Sequence, residues 1–320
     1  MATIRNTIAL QKQGHYSVWA IASMLAVHIV ALVGLWQVPL TGPLLAVTLA
    51  SYTLRMFGIT AGYHRYFSHR AYRTSRIFQF LLAFLGGASM QRGALWWAAH
   101  HRDHHRHSDL PGDLHSPKRD GFFWSHVGWI LHTSSDATQL GNLKDFRDNP
   151  ELNWLNRWHL VPPLLWALAL YAIGGLPWLF HGFFLSTVLL WHATFTVNSL
   201  AHVWGTRRFA TTDTSRNNPL IALLTLGEGW HNNHHHYQSS ARQGFTWWEI
   251  DLAYLGLRTL ERVGVVWKLK AVPARIWQAE PEAASPTAES GIRLESGTTI
   301  SEQVQWDDIL DEPWPESNAA

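Results

Sequence analysis

The chain has 320 residues, 47% of them hydrophobic, and carries 25 Lys and Arg against 23 Asp and Glu, a formal net charge of +2. It has no cysteine, which excludes disulfides, thiolate metal sites and iron–sulfur ligation within the chain. The charge is uneven: residues 278–320 hold ten acids and one base, leaving 24 bases and 13 acids in residues 1–277, a balance of +11. Such a basic body suits an anionic lipid surface or an anionic substrate. No nucleic-acid motif accompanies it, so no nucleic-acid partner is expected. Nineteen tryptophans also point toward a membrane–water interface.

Residues 17–36, SVWAIASMLAVHIVALVGLW, form a 20-residue apolar run, long enough to cross a bilayer as a helix. The turn QVPLTGP leads to a second span at 41–63, whose one charge is Arg55. An arginine there is either functional or snorkels to the near interface on its apolar stem. Its place in the second half of the span favours snorkelling. The run 77–90, IFQFLLAFLGGASM, is 14 residues long and contains Gly86 and Gly87. It is short for a span and weakened by glycine, which predicts an interfacial or re-entrant helix. Residues 91–158 are polar and aromatic. A second apolar pair follows at 160–180 and 183–203, the first opening on Pro162 and Pro163, which suits a first helical turn. Residues 204–277 are polar and basic, and from 278 the composition reads as an acidic disordered tail.

Lys and Arg set the topology. The connections at 37–40 and 174–182 have none, whereas 1–16 carries two, 63–158 twelve and 204–320 ten. By the positive-inside rule both termini and both large segments face the cytoplasm. The expected fold is all-α and integral to the membrane. Four transmembrane helices in two hairpins carry a helical cytoplasmic cap with a histidine-rich di-metal site. Residues 1–277 form the membrane domain and 278–320 the tail.

The histidines cluster with spacing. His101, His104 and His105 form HxxHH inside a stretch, residues 100–107, that holds five histidines. His231, His234 and His235 form a second HxxHH. Positions i, i+3 and i+4 share one helix face. Asn198 and His202 form NxxxH at the end of the fourth span. His64 and His69 form HxxxxH just past the second span. A separation of five does not share an α-helix face, so the helix must end or loosen there. His28 and His192, alone on apolar faces, read as packed or hydrogen-bonded residues. His100, His107, His115 and His236 flank the clusters but break the spacing. Nine imidazoles are too many for one ion. Shared as four and five, they suit two first-row transition metals, since zinc usually stops at four ligands and calcium and magnesium prefer oxygen. Spacing alone leaves copper open. Carboxylates placed to orient the imidazoles are Asp103, Asp109, Asp113 and Glu228.

HRYFSH, HRDHH and HNNHH, with NSLAH before the last, resemble the three histidine boxes of the membrane fatty acyl desaturases. The likeness is above all to the acyl-CoA Δ9 (stearoyl-CoA type) branch and its bacterial relatives, over about residues 15–270. GITAGYHRYFSH, GFFWSHVGWIL and GEGWHNNHH are similar around the boxes as well. The resemblance implies a non-haem di-iron centre with His64, His69, His101, His104, His105, His202, His231, His234 and His235 as ligands, and Asn198 acting through water. It implies O2 as co-substrate and two electrons, used to remove two hydrogens from a long acyl chain and leave a cis-alkene and water. The substrate it implies is a long-chain acyl-CoA, with a phospholipid acyl chain as the alternative. A di-iron membrane hydroxylase is a rival that HxxxxH and NxxxH fit less well. The sequence has no Rossmann or cytochrome-like motif, so the electron donor is expected to be a separate ferredoxin or cytochrome b5-like protein with its reductase. The implied location is a bacterial inner membrane.

An alkyl C–H bond has no acidic proton, so acid–base side chains cannot open it, and the redox chemistry must come from a cofactor. The chain must still hold the substrate and exclude water. Met56 and Tyr52 lie 8 and 12 residues before His64, about 12 and 18 Å along a helix, near one face. They are candidates to close an acyl tunnel. Trp97, before the second box, is a candidate to line its bend.

Overall fold

The computed structural model describes residues 14–277; the acidic tail expected from 278 lies outside the described residues. The first helix, α1, spans Val18–Gln37 and starts where the Ser17 hydroxyl accepts from the Ala20 amide at 3.2 Å, a capping bond that satisfies one of the free amides of a helix start. Helix α2 spans Gly42–Phe57 with proline in its first turn, and it runs on as a π-helix over Gly58–Ser68. Helix α3, Arg76–Gly87, is capped by Ser75, and α4, Ala94–His107, carries the first HxxHH. Next come α5, Pro150–Arg157, and α6, Val161–Trp178. A π-helical stretch, Leu179–Leu185, leads into α7, Ser186–Asn198, and a 3-10 turn, Leu200–His202. Shorter helices follow, among them α8 at Pro219–Leu224, α9 at His231–His236 and α10 at Leu252–Arg262. A two-residue antiparallel ladder pairs β1, Arg73–Thr74, with β2, Val266–Trp267.

Among the described residues, three helical segments are long and apolar enough to cross a membrane: Val18–Gln37, Gly42–Ser68 and Val161–His202. The first two match the expected spans 17–36 and 41–63. The expected spans 160–180 and 183–203 form one run of 42 residues, interrupted at Gly175, whose φ of 63° is non-helical. Leu170 and Gly182 would be about 18 Å apart on a straight helix. Instead, a Cβ on Gly182 would lie 3.3 Å from the Leu170 methyls. The chain therefore doubles back at Gly175, at the start of the 174–182 connection expected from sequence and inside the nominal span 160–180, because glycine accepts a positive φ without strain.

Helix α3 has 12 residues, about 18 Å, and is too short to cross. Its glycine pair has a packing role. A Cβ on Gly58 would come within 2.5 Å of the Gly86 amide nitrogen, and a Cβ on Gly86 within 2.4 Å of the Tyr63 ring. The missing side chains let α3 lie directly against the second segment.

Arg55 does not snorkel. It is fully buried, and its guanidinium donates to the Ser51 carbonyl at 3.2 Å, the Ala88 carbonyl at 3.2 Å, Thr187 Oγ1 at 2.7 Å and Ser186 Oγ at 2.5 Å. These neutral acceptors tie the second segment, the end of α3 and the start of α7 into one unit. A buried charge that finds several acceptors costs far less than one that finds none.

Candidate metal centre

The π-helix explains the HxxxxH spacing. The His69 amide donates to the His64 carbonyl at 3.2 Å, the i to i+5 bond of a π-turn, a feature frequent at functional sites. Widening the helix by one residue per turn brings positions five apart onto one face. His64 Nε2 and His69 Nε2 stand 3.1 Å apart.

Five Nε2 atoms form a closed ring. Its edges are His64–His69 at 3.1 Å, His69–His101 at 2.9 Å, His101–His105 at 2.9 Å, His105–His234 at 2.9 Å and His234–His64 at 3.0 Å. Hydrogen bonds cannot satisfy this ring. Each neutral Nε2 is either a donor or an acceptor, and a ring with an odd number of members cannot alternate the two. A cation at the centre removes the conflict, because every nitrogen then presents a lone pair. The spacing fits as well: two metal–imidazole bonds of about 2.1 Å at right angles separate their nitrogens by about 3 Å. Burial, reinforced by the neighbouring imidazoles, pushes the His101, His105 and His234 rings well below their ordinary pKa. They stay neutral, as ligands must.

The second group is His104, His202, His231 and His235, all buried, with ligand atoms within 4.8 Å of one another. His202 Nε2 and His231 Nε2 are 3.1 Å apart. The buried Nε2 atoms of His104 and His235 find no hydrogen-bond partner among the described residues, and buried polar atoms rarely go unpaired. Their other nitrogens are held from behind. His104 Nδ1 donates to Asp113 at 2.9 Å and His235 Nδ1 to Asp213 at 2.5 Å. His202 Nδ1 meets Thr214 Oγ1 at 3.2 Å, and that hydroxyl donates to Asp109 at 2.6 Å. Each contact places the proton on Nδ1 and turns Nε2 inward. Burial alone would raise the Asp113 and Asp213 carboxyls, but His104 and His235 beside them hold both well below the usual carboxylate range.

Of the expected orienting carboxylates, Glu228 is paired with His64 Nδ1 and with Arg65, and Asp109 reaches His202 through Thr214. The Asp103 carboxylate meets none of the nine clustered imidazoles among the described residues; only its backbone carbonyl meets a ring, that of His107, at 3.0 Å. The carboxylate pairs with Arg106 at 3.1 Å and accepts from Asn142 at 2.7 Å, because it sits on the outer face of α4. Asp213 was missed; it stands 22 residues before His235 in a loop, with no spacing to betray it.

Two buried arginines adjacent to the ligand candidates lock the helices. Arg102 makes a two-pronged pair with Asp145, at 2.9 and 2.8 Å. It also donates to the Ser68 and Phe67 carbonyls at 3.0 and 2.7 Å, filling the open end of the π-helix. Arg65 bridges Asp251 at 2.9 Å and Glu228 at 3.1 Å. Through them α4, the π-helix and the start of α10 share one framework.

A cavity of about 480 Å³ leads to this centre. It starts at Ser17, Trp19 and Ser23 on the first turns of α1 and reaches His101, Trp97 and Asn198. Gln91 and Thr194, joined by a 3.1 Å hydrogen bond, also line it. A smaller space of about 30 Å³ beyond is lined by Trp97, Asn198, His101, His104, His231 and Met56. Asn198 thus borders both spaces beside both groups. Tyr52 lines neither; its hydroxyl donates to the Leu224 carbonyl at 2.5 Å. His28 and His192 bond each other at 3.1 Å, away from the centre. His115 packs against His104 with ring centres 4.3 Å apart and planes tilted by 30°.

The model of the fatty acid desaturase family matches residues 35–267. The chain is 38% identical over 221 residues to sn-2 palmitoyl-lipid 9-desaturase of Nostoc sp., covering 68% of this chain and 77% of the relative. It is 37% identical over 233 residues to Delta-9 acyl-lipid desaturase 1 of Arabidopsis thaliana, covering 72% and 76%. It is 35% identical over 219 residues to Icosanoyl-CoA 5-desaturase of Limnanthes douglasii, covering 67% and 61%.

Proposed function

The chain belongs to the fatty acid desaturase family, an oxidoreductase family of lipid metabolism, and on that premise we propose that it introduces a cis double bond at carbon 9 of a long acyl chain. Two iron ions are the cofactor of this reading. His64, His69, His101, His105 and His234 would hold one. His104, His202, His231 and His235 would hold the other, with Asn198 beside them placed to act through water. Together with O2 and two electrons, the irons supply the oxidation that an unactivated C–H bond requires. A separate ferredoxin or cytochrome b5-like protein supplies the electrons.

The chain's own contribution is position and exclusion. The observation that carries the reading is the cavity running from the first turns of α1 to His101 and Asn198. Five tryptophans together with Met24, Met90, Leu131 and Leu160 line much of its wall, apolar surface that suits an alkyl chain. Trp97, stacked on His101 with ring centres 4.9 Å apart, borders both spaces where the chain must pass the metals. Met56, beyond it, limits how far the chain extends.

We favour an acyl group carried on a membrane lipid. Among the described residues lining the cavity, Arg92 carries the one fixed charge, and it is paired with Asp136. That mouth suits a head group already resting at the membrane interface. Relatives named for palmitoyl-lipid and acyl-lipid substrates support this. Acyl-CoA, the carrier expected from sequence, is the second reading, supported by the icosanoyl-CoA relative. In this reading four crossings in two hairpins place the metals on the cytoplasmic side of a bacterial inner membrane, with both termini on that side. Expression in a host without desaturases, with double bonds located by mass spectrometry in separated phospholipid and CoA pools, tests all of this. A Δ9 alkene arising first in phospholipid supports the proposal. A hydroxylated chain, or no new product, refutes it.

A further inference from the structure

Residues 204–277 are polar and basic overall, yet two stretches in them expose large apolar side chains side by side. On α8, Leu220 and Leu223 are 53% and 61% exposed. In the loop before α10, Trp247 is 91% and Ile250 59% exposed, and Leu255 on α10 is 56% exposed. These stretches are joined. The Ala253 amide donates to the Leu226 carbonyl at 2.8 Å. The Trp230 indole donates to the Ile250 carbonyl at 2.8 Å and its ring meets Trp248 at 5.7 Å.

Two contacts fix the depth of this surface. The Leu224 carbonyl accepts from Tyr52 at 2.5 Å, and a Cβ on Gly256 would lie 2.8 Å from the Phe57 ring. Both Tyr52 and Phe57 belong to the membrane-crossing segment Gly42–Ser68. Tyr52 lies 12 positions before His64 on this continuous segment, toward the bilayer interior. Elements that touch these residues hang beside the helix, below the level of the metal ligands.

We propose that α8, residues 247–250 and the exposed face of α10 form a collar embedded in the bilayer at the boundary of head groups and acyl chains. Leucine and isoleucine face the acyl chains. The two tryptophans suit the interface, where a ring is apolar and its N–H stays wet. In water this would be a contiguous apolar patch of the kind soluble proteins rarely carry. Arg262 on α10 sits at its C-terminal end, beside the Arg258–Glu261 ion pair, at the edge where lipid phosphates attract cations. The collar sets the height of the metal centre above the lipid tails, independently of which acyl carrier is used.

The chain has no cysteine, so a single introduced cysteine carries a unique nitroxide label. Leu223→Cys, Trp247→Cys and Leu255→Cys would be labelled in the full chain and reconstituted into phosphatidylcholine–phosphatidylglycerol vesicles. Leu32→Cys, exposed within α1, gives the lipid reference, and Asp148→Cys, in an exposed loop, the water reference. The proposal expects collisions with O2 to exceed those with a water-soluble nickel chelate, in a ratio several times that at Asp148→Cys. A ratio equal to the Asp148→Cys value at all three sites overturns it. So does protection from both reagents with spin–spin broadening that unlabelled chain dilutes away, which would put a second copy of the chain there.

Discussion

The five-histidine and four-histidine groups share helices. Helix α4 gives His101 and His105 to one and His104 to the other, and α9 gives His234 to one and His231 and His235 to the other. They are held differently. In the first group the ring of nitrogens closes on itself at 2.9 to 3.1 Å, and Glu228 stands behind His64. The second has fewer nitrogens and leans on Asp113, Asp213 and the Thr214–Asp109 link. It also borders Asn198 and the smaller space. One group is defined by its closed ring of nitrogens, the other by its supports, so on the proposed reading metals held there would be lost separately.

The largest effect should come from the ligands. His69→Ala, in the first group, and His235→Ala, in the second, should each reduce new alkene in a desaturase-free host to background, since both metals are needed. Retained product in either variant would remove that histidine from the centre. Next, Asp213→Asn keeps the shape but weakens the hold on His235. Losing such a support typically costs about 10- to 100-fold in metal affinity. Metal analysis should show one iron lost and one kept; loss of both would mean that the groups are not independent. Met56→Ala should leave metal content unchanged and shift products toward longer chains, read by gas chromatography. An unchanged profile would take Met56 out of the tunnel. The smallest effect belongs to Asp103→Asn, on the outer face of α4. Product yield should stay at the parent level and stability within about 0.5 kcal/mol, and a marked loss of iron would restore Asp103 to the centre.

Much of this was legible in the sequence, for physical reasons. Apolar runs long enough to cross a bilayer marked 17–36 and 41–63, and the i, i+3, i+4 spacing put each HxxHH on one helix face. What stayed hidden depends on tertiary contacts. HxxxxH signalled that the helix loosens, but not that it becomes a π-helix sealed by Arg102. Arg55 looked like a snorkelling residue because its acceptors, Ala88, Ser186 and Thr187, are 33 or more positions away. Asp213 lies in a loop with no periodicity. Gly86 read as a helix weakness, and its use became visible only with Tyr63 against it. The reversal at Gly175 lies within the expected connection 174–182, but its exact place stayed hidden because an uncharged, apolar turn looks like the spans around it.

The claim that the nine histidines divide into two unlike metal sites is tested most directly by Mössbauer spectroscopy of the full chain loaded with 57Fe. The account expects two irons per chain in two doublets of equal area and different splitting, one from a five-imidazole and one from a four-imidazole environment. A single iron per chain, or no iron bound at these histidines, would contradict it.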